Sequence, residues 1–465
     1  MSIDLSDLGL LPVTSAATQD AGEALPNAPI SAKHPIQTGS LLARTLFHVW
    51  RGDRVTMIES PPGAGKTTLI CEAVYHLLRD SELSLAVACP TRDGARDIAK
   101  LLVSILGTEK DSPKVVFSVK GMDMPEGTHV HAPMGSRSVV VRTTSSCKYK
   151  PPTVDVLIFD EAYQVTYSDM SKAALECQQV LLVGDPGQIG PVVKVNTRPW
   201  DNMRFNPASR APEVMVNIEG AVVLHMDATF RVGQHTVDTI APLYGFGFTS
   251  KRPERFLVND FGARVGEIEA LRIRPISNRV DLQTMVAIAN FAISHVGKTV
   301  RSFDENGKPV DELVKAEDVA VIVPHNDQAA ALGAMLRNST AENLPYPGAG
   351  ERIYVGTADR AQGGQWKAVV ALDPMIGHTS AGSHQLALGR LCVMLSRHTH
   401  ALTWVHDGEW ETKFNALIED DENASTKSVD DAHRSIAVRR LATRDASAIN
   451  LADHNIRYDR ELEIA

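Results

Sequence analysis

Val55-Thr56-Met57-Ile58-Glu59-Ser60-Pro61-Pro62-Gly63-Ala64-Gly65-Lys66-Thr67-Thr68 decides how the rest of the chain reads. The apolar run Val55–Ile58 leads straight into a turn carrying two glycines. Leu69, Ile70, Ala73, Val74, Leu77 and Leu78 then recur at the spacing of one buried helix face. A strand, a glycine-bearing turn and a helix opening at Lys66-Thr67 supply what a triphosphate needs. Backbone N–H groups converge at a helix N-terminus, Lys66 adds a point charge for the β- and γ-phosphates, and Thr67 offers a hydroxyl to Mg2+. Pro62, Gly63, Ala64, Gly65, Lys66, Thr67 and Thr68 are therefore the candidate nucleotide-binding residues. Ser60 stands where the G-x-x-x-x-G-K-[ST] pattern has its first glycine, while Gly63 and Gly65 keep the close backbone approach.

Outward from this cradle, short β-branched runs alternate with amphipathic stretches. Leu85–Cys89, Val139–Val141, Val154–Phe159, Val180–Val183 and Ala221–Leu224 continue the series, and Val319–Val323, Ile353–Gly356, Val369–Leu372 and Leu402–Val405 form a second one. Continuous apolar runs of this length, separated by helical patterns, predict strands buried on both faces of a parallel sheet. Two tandem α/β domains fit better than one very wide sheet. The expected division is a mobile leader over 1–31, a first domain over 32–222, a second over 223–410 and a polar, solvated appendage over 411–465 with one helix near Ser428–Ala442. Residues 102–137 and 251–317 are the only spans with room for small insertions.

The second element, a pair of partner carboxylates, lies about a hundred residues after the cradle. Val154-Asp155-Val156-Leu157-Ile158-Phe159 predicts a buried strand ending in Asp160-Glu161. Acids at the carboxyl end of a parallel strand sit where ligands bind in such sheets. Asp160 is placed to hold Mg2+ together with Thr67, and Glu161 to polarise the attacking water.

Composition bounds the partners. The chain has 465 residues, 43% hydrophobic and 22% charged, with a net charge of −9. That excludes a chain dominated by disorder and argues against a protein that coats nucleic acid through its overall field, without excluding a locally basic groove. No run approaches about 18 consecutive apolar residues, so no membrane partner is expected. The first basic residue is Lys33 and no compact apolar block precedes it, which speaks against a secretory signal. Five scattered cysteines without a CxxC pair suggest neither disulfides nor a zinc ribbon. A reduced, cytoplasmic protein is the expectation. His378, His384, His398, His400 and His406 lack ligand-like spacing, Trp366 reads as core packing, and Lys148 and Lys150 read as a solvated loop.

A third element adds a family resemblance. Leu181-Leu182-Val183-Gly184-Asp185-Pro186-Gly187-Gln188-Ile189-Gly190-Pro191-Val192 is a strand running into a G-D-P-x-Q-x-x-P-V turn. With the cradle and Asp160-Glu161, it resembles the superfamily 1 helicases, and its Pro-rich form is similar to the branch containing the RecD-like and nonsense-decay helicases. Other matches follow in order: Ala88-Cys89-Pro90-Thr91-Arg92, Thr143-Thr144-Ser145-Ser146, Thr229-Phe230-Arg231, Gly356-Thr357-Ala358-Asp359-Arg360-Ala361-Gln362-Gly363-Gly364 and Gly389-Arg390-Leu391-Cys392-Val393-Met394-Leu395-Ser396-Arg397. The resemblance spans roughly His34 to Gly408.

That resemblance implies two RecA-like P-loop NTPase domains with Mg2+ and ATP in the cleft between them. It makes Lys66, Glu161, Gln188, Arg231 and Arg397 catalytic, with Gln188 sensing the γ-phosphate and the two arginines reaching it from the second domain. It assigns adenine reading to Gln37 and nucleotide contact to Gly363 and Gln365. It gives nucleic-acid contacts to Pro90, Thr91, Arg92, Thr143, Thr144, Thr357 and Asp359. The implied activity is stepping along single-stranded nucleic acid, DNA favoured over RNA, in the 5′→3′ direction. The chain departs from the family pattern at Gln365, where Glu is usual, at His398-Thr399, which lacks a second Arg, and at Tyr163, where Gln is frequent. Little room is left for the large inserted subdomains that separate strands, so a protein partner for strand separation or targeting is expected. A nucleotide-gated binding switch is the alternative from another class. A small-molecule kinase leaves Gly184–Val192 and the second α/β unit unexplained.

Overall fold

The computed structural model describes residues 36–200, 203–259, 261–338, 348–419 and 426–444. The expected leader and residues 420–425 and 445–465 of the expected appendage lie outside them. The chain divides into two compact units, one of residues 1–186 with 190–227, the other of 187–189 with 228–465. Each is α/β, built around a parallel sheet.

The first unit carries a seven-stranded sheet in the order Lys114–Phe117, Ser138–Thr143, Leu85–Cys89, Val154–Phe159, Cys177–Gly184, Val55–Glu59, Val222–His225. Every pairing is parallel. Alternation places successive side chains on opposite faces, and both faces are apolar. Leu85, Val87, Cys89, Val156 and Ile158 enter one core with helices Leu41–Arg51, Lys66–Asp80 and Arg92–Leu106. Ala86, Ala88, Leu157 and Phe159 enter another with Met170 and Met215.

Val222–His225 pairs with Val55–Glu59, so the expected division after residue 222 cuts through a strand. The units part after Asp227 instead, because Val222–His225 adds a parallel edge strand beside Val55–Glu59.

The second unit is built on a five-stranded parallel sheet in the order Ile268–Arg272, His398–His406, Trp366–Leu372, Val319–Val323, Tyr354–Thr357. Val319, Val321 and Val323 face a core with helix Leu282–Ile293, while Ala320 and Ile322 face the opposite one. The span 251–317 holds an edge strand of this sheet and a small antiparallel sheet of Arg255–Val258, Thr299–Phe303 and Pro309–Leu313.

The described parts of the stretch read as a solvated appendage, Trp410–Glu419 and Thr426–Thr443, are instead folded onto this unit. Trp410 and Phe414 of helix Trp410–Glu419 and Ala432 and Ile436 of helix Thr426–Thr443 form an apolar cluster with Met375, Ala381 and Leu386. Arg439, wholly buried, donates to both carboxylate oxygens of Asp373 at 2.7 and 2.9 Å. Its guanidinium also lies over the Phe414 ring at 4.8 Å. The polarity that suggested a solvated tail lies, in the described helices, on exposed residues such as Asp430, Arg434 and Arg440.

Candidate nucleotide and nucleic-acid site

In the first unit, each candidate segment follows the carboxyl end of a strand of one parallel sheet, so the segments share one edge. The cradle follows Val55–Glu59, Asp160-Glu161 follows Val154–Phe159, and Asp185 follows Cys177–Gly184. Pro90-Thr91-Arg92 and Thr143-Thr144 end two neighbouring strands whose register pairs Cys89 with Thr143.

The cradle is shaped by two backbone conformations that only glycine adopts freely, Gly63 at φ 72° and Gly65 at φ 88°. Gly65 immediately precedes the fifteen-residue helix Lys66–Asp80, whose first amides point toward the loop. Ser60 is buried, and both its amide and its hydroxyl donate to the Gly184 carbonyl, at 3.0 and 3.3 Å. A Cβ on Gly184 would lie 3.0 Å from the Ala162 amide nitrogen and 3.0 Å from Tyr163 Cδ2. Gly184 thus lets the cradle and the acidic turn close on the same strand end.

Lys66 is only 9% exposed, and its Nζ lies 3.7 Å from Glu161 Oε1. Glu161 is the only non-glycine residue with positive φ, at 50°, among the described residues. A side chain held in that region marks a place where the surroundings overrule local preference. Asp160 is buried, its carboxyl raised to about 7 by burial and by the neighbouring Glu161, against the pull of Lys66. Neither Asp160 Oδ1 nor Glu161 Oε2 has a hydrogen-bond partner, although both are buried.

Two unsatisfied hard oxygens beside a buried ammonium fit a divalent cation such as Mg2+. Such an ion commonly takes few protein ligands and completes its shell with water and phosphate. Among the described residues no cluster of three or more His, Cys, Asp or Glu could hold a metal by itself, which is compatible with that mode.

Sequence reasoning missed Glu59. The Tyr163 hydroxyl donates to Glu59 Oε1, and His225 Nε2 lies 3.2 Å from Glu59 Oε2. Burial and the Glu59 charge push the Tyr163 phenol well up, so it stays a donor. The departure at Tyr163 therefore ties the acidic turn to the residue just before the cradle. Glu59 gave no signal because it reads as the polar end of a strand.

The expected strand-gripping residues divide by exposure. Thr91 and Arg92 are exposed, and the Thr91 hydroxyl accepts from the Gly94 amide at 3.0 Å, capping helix Arg92–Leu106. The Thr143 hydroxyl caps helix Thr144–Tyr149 through the Ser146 amide at 3.2 Å, and the buried Thr144 hydroxyl has no partner. Pro90 is half-buried. Gln37 is exposed, and its carbonyl accepts from Ser40 in the turn that opens helix Leu41–Arg51.

In the second unit, Thr357 is buried and heads the short helix Ala358–Ala361. Asp359 is gripped by Arg390, whose Nε and Nη2 donate at 2.9 and 3.4 Å. Gly363 has φ 90°, and it and Gln365 are exposed. Trp366 packs against Tyr354, ring centroids 4.5 Å apart. Gln188, in the segment 187–189 that groups with this unit, accepts from the Gln362 amide at 3.1 Å. Arg231 is half-buried, and its carbonyl accepts from Arg255 at 2.8 Å.

Arg397 is a buried guanidinium in the second unit. It is 1% exposed, its Nε has no partner, and its Nη2 has only a long 3.5 Å contact with the Ser396 hydroxyl.

The first unit carries the strand, glycine turn and helix of a phosphate-binding P-loop. Residues 44–203, roughly a third of the chain, match the family described as AAA domain. No curated protein matches. Among solved structures, the PRRSV helicase is 16% identical with a TM-score of 0.39, covering 78% of this chain and 54% of its own. Arterivirus nonstructural protein 10 (helicase) is 15% identical with a TM-score of 0.42, covering 81% of this chain and 65% of its own. The same protein in complex with DNA gives 15%, 0.42, 81% and 66%. The chain therefore spans less than two thirds of the length of each. No described helix is long and apolar enough to cross a membrane.

Proposed function

We propose that the chain is a motor on single-stranded nucleic acid driven by ATP hydrolysis, a superfamily 1 helicase or translocase of the RecD-like kind. The observation that carries the reading is Arg397: a buried guanidinium with an unpartnered Nε and no carboxylate within ion-pair distance among the described residues. An uncompensated buried charge is costly, so such a group is matched to an anion that arrives from elsewhere. In this reading the anion is a terminal phosphate.

In this reading Lys66 and the cradle amides neutralise the phosphates, Glu161 polarises the attacking water, Gln188 senses the γ-phosphate, and Arg231 and Arg397 stabilise the transferring group. Thr67 and Asp160 would hold Mg2+, which when bound neutralises charge on the phosphates. Pro62, Gly63, Ala64, Gly65, Thr68, Gly363 and Gln365 contact the nucleotide, and Gln37 reads its base. An arginine completing such a site accelerates hydrolysis by roughly 10³–10⁵. If Pro90, Thr91, Arg92, Thr143 and Thr144 grip the strand on one unit and Thr357 and Asp359 on the other, a cycle of nucleotide-dependent affinities moves one grip past the other. DNA is favoured over RNA and 5′→3′ over the reverse.

The test is ATP turnover with single-stranded DNA, with single-stranded RNA and with neither, together with displacement of a strand from a tailed duplex. Stimulation with displacement supports the motor. Stimulation without displacement supports a nucleotide-gated switch, and turnover that ignores both strands removes nucleic acid from the account.

A further inference from the structure

Glu267 is a charged residue of the second unit that lies outside every sequence motif named above. It lies at the foot of strand Ile268–Arg272, 8% exposed at its side chain. Its carboxylate accepts from the Gly233 amide and, at 3.4 Å, from the Thr236 amide, two residues and five residues beyond Arg231. The same carboxylate lies 3.3 Å from His398 Nε2 and 3.8 Å from Arg252 Nη1. His398 directly follows Arg397, and its Nε2 also lies 3.0 Å from the Thr236 hydroxyl. A single buried carboxylate therefore joins the backbone just after one arginine to the side chain just after the other.

Two neighbours complete the staple. Arg252 Nη1 and Arg255 Nε both donate to the Thr399 carbonyl, and Arg255 Nη2 donates at 2.8 Å to the carbonyl of Arg231 itself. Gly233 is required for the arrangement: a Cβ there would lie 2.4 Å from Glu267 Oε2 and 2.7 Å from Arg252 Nη2. Burial alone would raise the Glu267 carboxyl, yet His398, Arg252 and the Gly233 amide outweigh it and hold it at about 2. The carboxylate thus stays charged across the working pH range.

We propose that Glu267 is a positioning residue for hydrolysis, holding the Arg231 loop and the Arg397–Thr399 segment in one fixed relation so that both guanidinium groups are presented together. This deepens the reading of Arg231 and Arg397 given above and rests on it. Small misplacements of such groups cost rate, whereas nucleotide binding by the cradle of the first unit does not depend on them.

The experiment compares the wild-type chain with E267Q and T236V, measuring ATP turnover at saturating Mg·ATP, affinity for a fluorescent ATP analogue, and thermal melting. E267Q keeps the size and an acceptor oxygen but loses the charge toward His398 and Arg252. The expected result is a fall in kcat of about 10- to 100-fold with the analogue bound as tightly as by wild type. T236V, which removes only the hydroxyl beside His398, is expected to fall in the same direction by a smaller factor, and it carries the test if E267Q does not fold. Folded E267Q or T236V with wild-type kcat overturns the proposal, as does a loss of kcat accompanied by an equal loss of analogue affinity. K66A separates this from the underlying reading. If K66A hydrolyses ATP like wild type, the site assignment itself falls; if K66A is inactive while E267Q is fully active, only the role of Glu267 falls.

Discussion

Lys66 Nζ lies 3.7 Å from Glu161 Oε1, an ammonium and a carboxylate brought together from segments nearly a hundred residues apart. In the proposed mechanism both are needed for hydrolysis, but for different steps. Lys66→Ala removes the charge that meets the phosphates and is expected to abolish ATP turnover and weaken nucleotide binding. Glu161→Gln is expected to retain binding while turnover falls by roughly 10²- to 10⁴-fold, the range of a lost general base. Steady-state turnover and analogue binding on both variants separate the two roles.

Gly184 tests whether the cradle and the acidic turn must close on one strand end. In Gly184→Ala the new methyl meets backbone at Ala162 and the Tyr163 ring, both at 3.0 Å. Overpacking of this kind costs about 1–3 kcal/mol. A lowered melting temperature together with weakened nucleotide binding is the expected outcome, read by thermal melting and analogue titration.

Asp373 and Arg439 fasten the C-terminal helix through a fully buried ion pair. Asp373→Ala leaves the guanidinium buried without its carboxylate and is expected to destabilise by about 3–5 kcal/mol. Replacing both, Asp373→Leu with Arg439→Met, is expected to recover most of that loss. Denaturant unfolding of the single and double variants checks it.

Acid should weaken the second unit through its buried histidines. Burial holds His295 and His325 at about 4 and His400 at about 3, against an ordinary value of 6.5. These rings stay neutral in the folded chain while the unfolded chain takes up protons, so the stability they contribute is complete above 6.5 and is lost as pH falls toward 4. Melting temperatures measured from neutral pH down through that window should fall steadily. A flat profile would contradict the assignment.

The legible parts were those whose signal is local. Val319–Val323 announces itself because all five residues are buried, and the cradle because strand, turn and helix are contiguous. Ile268–Arg272 was missed because it is an edge strand with exposed or half-exposed Glu269 and Arg272, and Lys114–Phe117 because it is short and begins with a lysine. The helix over Thr426–Thr443 was foreseen, but not its burial: Arg439 reads as a surface residue until Asp373, 66 positions earlier, is seen beside it. Glu267 and His398 are 131 positions apart, and only the parallel pairing of their strands brings them together. Spacing in sequence carries no trace of such pairs.

The most direct test of the central claim is ATP turnover by the wild-type chain and by Arg397→Met, each with and without single-stranded nucleic acid. The account predicts that a single strand stimulates the wild type, and that Arg397→Met binds the ATP analogue normally, melts no lower than wild type and loses turnover by about 10³-fold or more. Turnover in Arg397→Met equal to wild type, with neither chain responding to a strand, would contradict it.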